Sequence, residues 1–268
     1  MAQATARIRA RPMGTNPLVR ALIFIGDSWT VAAHGVLCIA LGRARIAETV
    51  RQMALIGVDS LPIIIATSVS TGAVLAFYMT GVLTQLGADT FTGGTIALTF
   101  LLELGPILAG VMVAARSGAA IAAEIGTMVV TEQVDALRSM AVSPIAYLVA
   151  PRLLACVTMM PLCGLVSDFA GIGGSIVMAS AHGLPAATFL ESVRMMAEQT
   201  DLLKGLIKTL WFGFTIAAVA CRQGLRTKRG AAGVGHATTS SVVLCVVLIF
   251  VSDFFLAQLL MGASVAMR

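Results

Sequence analysis

The stretch SLPIIIATSVSTGAVLAFYMTGVLTQLGA, residues 60–88, carries no charged side chain and decides the fold. It lies between Asp59 and Asp89, the nearest charges on either side. As an α-helix rising ~1.5 Å per residue, it is longer than the ~30 Å hydrocarbon core of a bilayer. The stretch therefore predicts a membrane-spanning helix.

The composition of the whole chain agrees with this interpretation. Of its 268 residues, 58% are hydrophobic and only 12% are charged, and the mean hydropathy is +0.93. Soluble domains contain roughly 25% charged residues. These values exclude a soluble domain, a disordered chain and a nucleic-acid-binding module. The five cysteines form no C-x-x-C pair and four lie in apolar stretches, which predicts buried thiols. The three scattered histidines suggest no metal site.

Four more apolar stretches follow the first one. They predict an all-α integral membrane protein with five transmembrane helices. Lys204 and Lys208 lie near the start of the fourth stretch, and we expect both to extend to the outer interface. The predicted spans cover approximately residues 60–86, 93–121, 152–181, 202–222 and 238–261.

The segment 21–42 is also long enough to span, but it contains Asp27 and His34. If it crossed the membrane, the arginines before it would lie opposite those after it. The positive-inside tendency therefore favours an interfacial or elbow helix, with a cytoplasmic N-terminus and an outer C-terminus. We expect residues 1–52 to form a cytoplasmic and interfacial region and residues 53–268 to form the membrane domain. Whether residues 21–42 span the membrane stays open.

Nothing in the sequence indicates an enzyme, because it contains no G-x-x-x-x-G-K-[ST] phosphate loop. Two glycine-rich segments have simpler explanations. GIGGS, residues 171–175, lies inside a predicted span, where small residues let helices approach closely. GAAGVG, residues 230–235, is predicted to be a loop.

Two connections between spans have amphipathic patterns. In the segment 122–152, Val130, Val134, Leu137 and Ala141 share one helical stripe, and the sequence Ser143-Pro144 predicts the end of that helix. Such a helix either docks on a soluble partner or forms a solvated loop. On the outer side, residues 184–200 predict a helix that lies on the membrane surface or packs as an ordinary loop helix.

Ionisable residues inside the predicted spans are costly in lipid, so each suggests a function or a buried partner. Glu103 precedes Gly105-Pro106, where a kink is expected. No close series of carboxylates and histidines indicates a proton relay, so interhelical pairing is favoured. The residues in question are Glu103, Arg116, Glu124, Asp168 and Asp253.

From about residue 45 onward the chain resembles the MlaE/YrbE-type permeases, the membrane subunits of ABC lipid transporters that work with MCE proteins. Several long motifs in the same order carry the resemblance: STGAVLAF (70–77), ELGPILAGVMVAARSGAAIAAEIGTM (103–128), TEQVDALRSMAVSP (131–144), APRLLA (150–155), GGS (173–175), GAAGVGHATTSSVV (230–243) and VSDFFLAQLL (251–260).

The resemblance implies two permease copies around a phospholipid cavity, cytoplasmic ABC ATPases that bind ATP and Mg, and a hexameric MCE ring outside a bacterial inner membrane. No cofactor is expected in this chain. The segment that contacts the ATPase corresponds to Glu132, Gln133, Asp135, Ala136 and Leu137. The lipid cavity corresponds to one face of the first span, with Leu75, Tyr78, Met79 and Val82 as candidates.

Two positions depart from the family pattern. Leu102 stands where many relatives carry arginine, and Tyr78 stands where relatives often carry glutamine. Two other functions stay open at this point. One is a proton-coupled secondary transporter that uses Glu103, Asp168 or Asp253, and the other is a non-transporting membrane anchor for an MCE ring.

Overall fold

A computed structural model describes residues 17–42, 45–228 and 230–266. Five of its helical stretches are long and apolar enough to cross a membrane, which confirms the predicted all-α membrane fold. We number them spans 1 to 5: Ile46–Gln85, Asp89–Val130, Ile145–Ala181, Gln199–Leu225 and Gly230–Leu260. The α-helices are α1 (Pro17–Ala40), α2 (Ile46–Ile56), α3 (Leu61–Gln85), α4 (Thr92–Thr99), α5 (Gly105–Val113), α6 (Ala119–Val130), α7 (Gln133–Ser139), α8 (Ala150–Ala181), α9 (Ala186–Met196), α10 (Gln199–Leu225) and α11 (Gly230–Ala266).

The bundle has two ends that differ in charge. Spans 2 and 3, and also spans 4 and 5, are joined at the end we call the basic end. Three of its arginines lie at the connections, namely Arg138, Arg222 and Arg226. The opposite end holds the turn at residues 86–91 and the short helix α9.

Span 2 is an almost continuous helix in which two π-helical turns replace regular α-helix. They cover Phe100–Leu104 and Ala114–Gly118, and a third such turn, Ile145–Val149, begins span 3. The first lies directly before Gly105-Pro106, where the sequence predicted a kink. A π-helical turn shifts the register of the hydrogen bonds, and such turns are frequent at functional sites.

Spans 1 and 3 approach closely along a stripe of small residues. The Oγ atoms of Ser68 and Ser167 are 2.8 Å apart, and the Ser175 hydroxyl donates to the Gly72 carbonyl at 2.9 Å. A Cβ atom on Gly72 would overlap the carbonyl of Gly171. The close-packing interpretation of GIGGS is therefore confirmed for Gly171.

The interior contains two apolar clusters. The larger cluster lies towards the basic end and joins all five spans, with Ile64, Val113, Met160, Phe212 and Ile249 among its members. The smaller cluster lies towards the opposite end and combines α3, span 2, α8 and α9. Four of the five cysteines are buried in the bundle, as their apolar surroundings predicted.

Helix α9 is a packed helix rather than one that lies free on the membrane surface. Phe189 is fully buried in the smaller cluster, and its carbonyl lies so close to Gly93 that a Cβ there would overlap it. Ser192 accepts a hydrogen bond from the Gly94 amide at 2.8 Å. Of the two alternatives for residues 184–200, the packed loop helix is therefore the observed one.

The prediction of a loop at residues 230–235 is wrong. Residues from Gly230 onward already form the first turns of α11, and Gly230 itself has a φ of 64°. Glycine adopts this left-handed conformation at no steric cost, so it can turn the chain sharply into the last span.

Candidate functional site

The segment predicted to contact an ATPase projects from the basic end between spans 2 and 3. Its core is helix α7, which has seven residues. Non-glycine residues in the left-handed conformation stand on both sides: Glu132 with a φ of 60° and Ala141 with a φ of 59°. Such residues are uncommon, and they separate α7 sharply from its neighbours. The helix thus ends at Ser139, and the end predicted at Ser143-Pro144 is wrong, because the turn at Ala141 stops it earlier.

One face of this segment is anchored and the other is accessible. Val134 is buried and Leu137 is half-buried, whereas Glu132, Gln133, Asp135 and Ala136 are exposed. Arg138, one turn away, donates to the Asp135 carboxylate at 2.7 Å and forms an ion pair with it. The structure therefore brings all five predicted residues into one small projection with a polar outer surface.

The predicted lipid face of span 1 is largely open. Tyr78, Met79 and Val82 are 64%, 38% and 53% exposed on α3. Leu75, in contrast, is half-buried and packs against the smaller apolar cluster. Leu75 is therefore turned more towards the interior than its three partners in the predicted stripe.

A buried ion cluster joins spans 2, 4 and 5. The Lys208 ammonium lies 2.7 Å from Glu103 Oε2 and 3.0 Å from Asp253 Oδ1. The Lys208 side chain is only 2% exposed. Interhelical pairing, which the sequence favoured for Glu103 and Asp253, is what the structure shows. The expectation that Lys208 extends to the interface is wrong, because two carboxylates hold its ammonium group inside the bundle.

The same lysine also replaces a backbone hydrogen bond that is missing in span 2. Pro106 has no N–H, so the carbonyl four residues earlier, that of Leu102, loses its helical donor. Lys208 Nζ donates to this carbonyl at 2.9 Å. An unpaired carbonyl in hydrocarbon costs several kcal/mol, roughly the penalty of a buried polar group without a partner. Leu102 itself offers Glu103 no cation, and a lysine from span 4 pairs with it.

Asp168 of α8 lies apart from this cluster. It is buried, and its Oδ1 atom has no hydrogen-bond partner among the residues that the structure describes. That oxygen lies directly against Gly105, where any Cβ atom would collide with it. Gly105 is therefore required next to the π-helical turn by close packing.

The remaining two ionisable residues pair near the basic end. The Arg116 guanidinium lies 3.1 Å from Asp59 and donates to the Leu55 carbonyl at 2.8 Å, which connects span 2 to the turn before α3. Glu124 lies 2.7 Å from the buried Arg152 of span 3. Both are interhelical contacts that join the elements next to the projecting segment.

Comparison with known proteins decides the family. A family model described as Permease MlaE matches residues 49–259. The chain belongs to this family. A probable ABC transporter permease protein of Synechocystis is 40% identical over 84% of this chain and 86% of its own length. Another from Rickettsia prowazekii is 41% identical over 78% of this chain and 82% of its own length. The chloroplastic protein TRIGALACTOSYLDIACYLGLYCEROL 1 of Arabidopsis thaliana is 35% identical over 85% of this chain and 65% of its own length.

Family membership indicates what kind of subunit this chain is. The chain is a multi-pass membrane protein and a permease subunit of an ABC transporter, which implies a separate ATPase partner. Sequence reasoning did not find two partners within this framework. Lys208 and Arg152 were not identified as buried counter-ions, although an acidic residue inside a span is itself a signal to look for a cation in another span.

Proposed function

We propose that this permease moves phospholipid across or out of a bacterial inner membrane as part of an ATP-driven complex with an MCE protein. Two copies would pair around the lipid, and cytoplasmic ATPases would bind ATP and Mg. The observation that carries the proposal is the open apolar face of span 1 in a protein of the MlaE family. Family membership favours ATP as the energy source over the proton-coupled alternative.

The distribution of burial supports a partner or lipid beside spans 1 and 5. In spans 1 and 5 only 28% and 17% of an apolar 18-residue stretch is buried, against 44% to 50% in the other three spans. Tyr78, Met79 and Val82 lie on the exposed side of span 1. An apolar surface with a single phenol group suits acyl chains near a headgroup, as expected for a lipid cavity between two copies.

The name of the Arabidopsis relative supports a lipid substrate, because it refers to trigalactosyldiacylglycerol, a glycolipid. Both that lipid and a phospholipid carry two acyl chains on glycerol. An apolar face therefore fits either one, and phospholipid is the expected substrate for a bacterial membrane.

The contacts at the basic end suggest how motion reaches the spans. The projection around Glu132 is attached to span 2 through α6 and to span 3 through residues 140–144. The pair between Glu124 and Arg152 ties these two spans together next to the projection. A push on the projection would therefore move spans 2 and 3 as a unit, and span 1 would follow because its small residues are interlocked with span 3.

Glu132→Lys tests the coupling step. The reversed charge stands on the exposed tip of the projection, so we expect loss of ATPase association and of ATP-dependent lipid transport. Membrane insertion should stay normal, because the Glu132 side chain is exposed. Glu191→Lys, the same charge change on the exposed surface of α9, is the matched control. ATPase association of Glu132→Lys at the wild-type level would contradict the assignment of this segment.

A further inference from the structure

An apolar groove lies between α1, α10 and α11, on different helices from the lipid face of span 1. Two adjoining cavities of about 150 and 400 Å³ form it, and they share the walls Trp29, Trp211 and Phe214. Trp29 and Trp211 are the only two tryptophans of the sequence. We call this site the tryptophan groove, and its other lining residues include Ala32, Ala218 and Leu248.

The walls of the tryptophan groove are aromatic and apolar. Trp29 meets Phe214 edge to face at a centroid distance of 6.0 Å, and Trp211 lies 5.8 Å from the same ring. Both indoles remain accessible, with Trp29 58% and Trp211 40% exposed. Aromatic rings carry a large apolar surface, so they pack well against hydrocarbon. Such walls suit an acyl chain that enters from the bilayer.

A positively charged cluster lies near the groove, next to Ser28, one of the residues that line it. On α10 the groove residues Phe214 and Ala218 are followed on the same helical face by Arg222, and Arg226 comes directly after the end of the helix. Both guanidinium groups approach one carboxylate: Asp27 Oδ2 lies 3.5 Å from Arg222 and 2.6 Å from Arg226. These three groups therefore sum to one net positive charge. The Arg226 side chain is 34% exposed, so it can contact a further anion.

The dimensions fit one leaflet. Phe214 and Arg226 are twelve positions apart, which corresponds to ~18 Å along an α-helix. The hydrocarbon core is ~30 Å thick, so one leaflet contributes about half of that. An apolar groove with an arginine about one leaflet away along the helix matches a single lipid with an anionic headgroup.

We infer that the tryptophan groove binds an anionic phospholipid from the leaflet at the basic end, with an acyl chain between the tryptophans and the phosphate near Arg226. The lipid would hold α1 against spans 4 and 5. The inference holds whether or not the protein transports lipid, since the lipid in this groove is not the cargo.

The two tryptophans make the site measurable in the unmodified protein. Purified, delipidated protein in detergent is titrated with phosphatidylglycerol or phosphatidylcholine whose acyl chains carry bromine, which quenches tryptophan fluorescence on contact. One basic residue near an anionic lipid headgroup contributes enough to raise binding about fivefold. We expect half-maximal quenching at about fivefold lower mole fraction of the brominated phosphatidylglycerol.

Variants of the charged cluster give changes of opposite sign. Arg226→Gln should remove the preference for phosphatidylglycerol, whereas Asp27→Asn should increase it by removing the competing carboxylate. Arg51→Gln is the matched control, because Arg51 is exposed on α2 at the same end and pairs loosely with Glu48 at 3.9 Å. It should leave the preference intact.

Three results would overturn the inference. Equal quenching by the two lipids in wild-type protein would show that the groove has no preference for an anion. An equal loss of preference in Arg226→Gln and Arg51→Gln would indicate a general surface-charge effect. Absence of quenching by either lipid would show that another occupant, such as a second copy of the chain, covers both tryptophans.

Discussion

Replacing Lys208 by methionine tests the buried ion cluster most severely. Methionine has nearly the same length, so the change removes the charge and leaves the packing volume almost intact. Glu103 and Asp253 would then face each other across spans 2 and 5 without their shared cation. The Leu102 carbonyl, which Pro106 leaves without a helical donor, would also lose its partner.

The size of the effect follows from the burial of the lysine. Lys208 is 2% exposed, and breaking a buried ion pair by removing one partner costs about 3–5 kcal/mol. For a chain of this size each kcal/mol lowers the unfolding temperature by about 2–4 °C. We therefore expect Lys208→Met to unfold roughly 6–20 °C below the wild type.

The cysteines supply the assay. Cys156, Cys163, Cys221 and Cys245 are buried, so a thiol-reactive dye labels them only when the bundle opens. The unfolding temperature of detergent-purified protein can be read from the rise in dye fluorescence. Cys38, which is half-buried, would add only a constant background.

Two further variants separate charge from packing. Lys204→Met is the matched control on the same helix, since Lys204 pairs at 2.9 Å with Asp201 one turn away. The Lys204 side chain is 23% exposed against 2% for Lys208, so a smaller shift than for Lys208→Met is expected. Adding Glu103→Gln and Asp253→Asn to Lys208→Met should restore most of the stability, because no uncompensated charge remains. Equal shifts for the two single lysine variants, or no recovery in the triple variant, would refute the ion-cluster argument.

Two other predictions concern span 1. Gly72→Leu should destabilise the protein by about 1–3 kcal/mol or more, because the new side chain meets the Gly171 carbonyl. Gly81→Leu on the same helix should be nearly neutral, since nothing lies near its Cβ position. Thermal unfolding compares the two variants, and similar losses of stability would contradict the close packing of spans 1 and 3. Val82→Trp should reduce lipid transport in proteoliposomes by filling the open face, whereas Leu162→Trp on the exposed side of span 3 should not. Unchanged transport by Val82→Trp would favour the non-transporting anchor.

The spans could be predicted from the sequence because their signal is local. A run such as residues 60–88 has only one stable environment, and its length sets the helix. The pairing of Lys208 with Glu103 could not be predicted in the same way, since the residues are far apart in the chain and helical periodicity does not say which spans are neighbours. The requirement for some cation near Glu103 was visible, but its identity depends on tertiary packing.

The candidate site shows the same division. The polar outer face around Glu132 follows from helical periodicity, and the structure places those residues together. The boundaries of α7 did not follow, because Glu132 and Ala141 adopt a left-handed conformation that neither residue type favours. Leu75 was grouped with Tyr78 by the family resemblance and by helical spacing, but it packs against the smaller apolar cluster, which includes residues of α9 and span 2.

The central claim is that this chain is the permease of an ATP-driven lipid transporter. The most direct measurement is purification of the tagged chain from its native membrane in mild detergent, followed by mass spectrometry of the proteins and lipids that accompany it. We predict an ABC ATPase, an MCE protein and bound phospholipid in the same complex. A chain that elutes without an ATPase from intact membranes, in several detergents, would contradict the account.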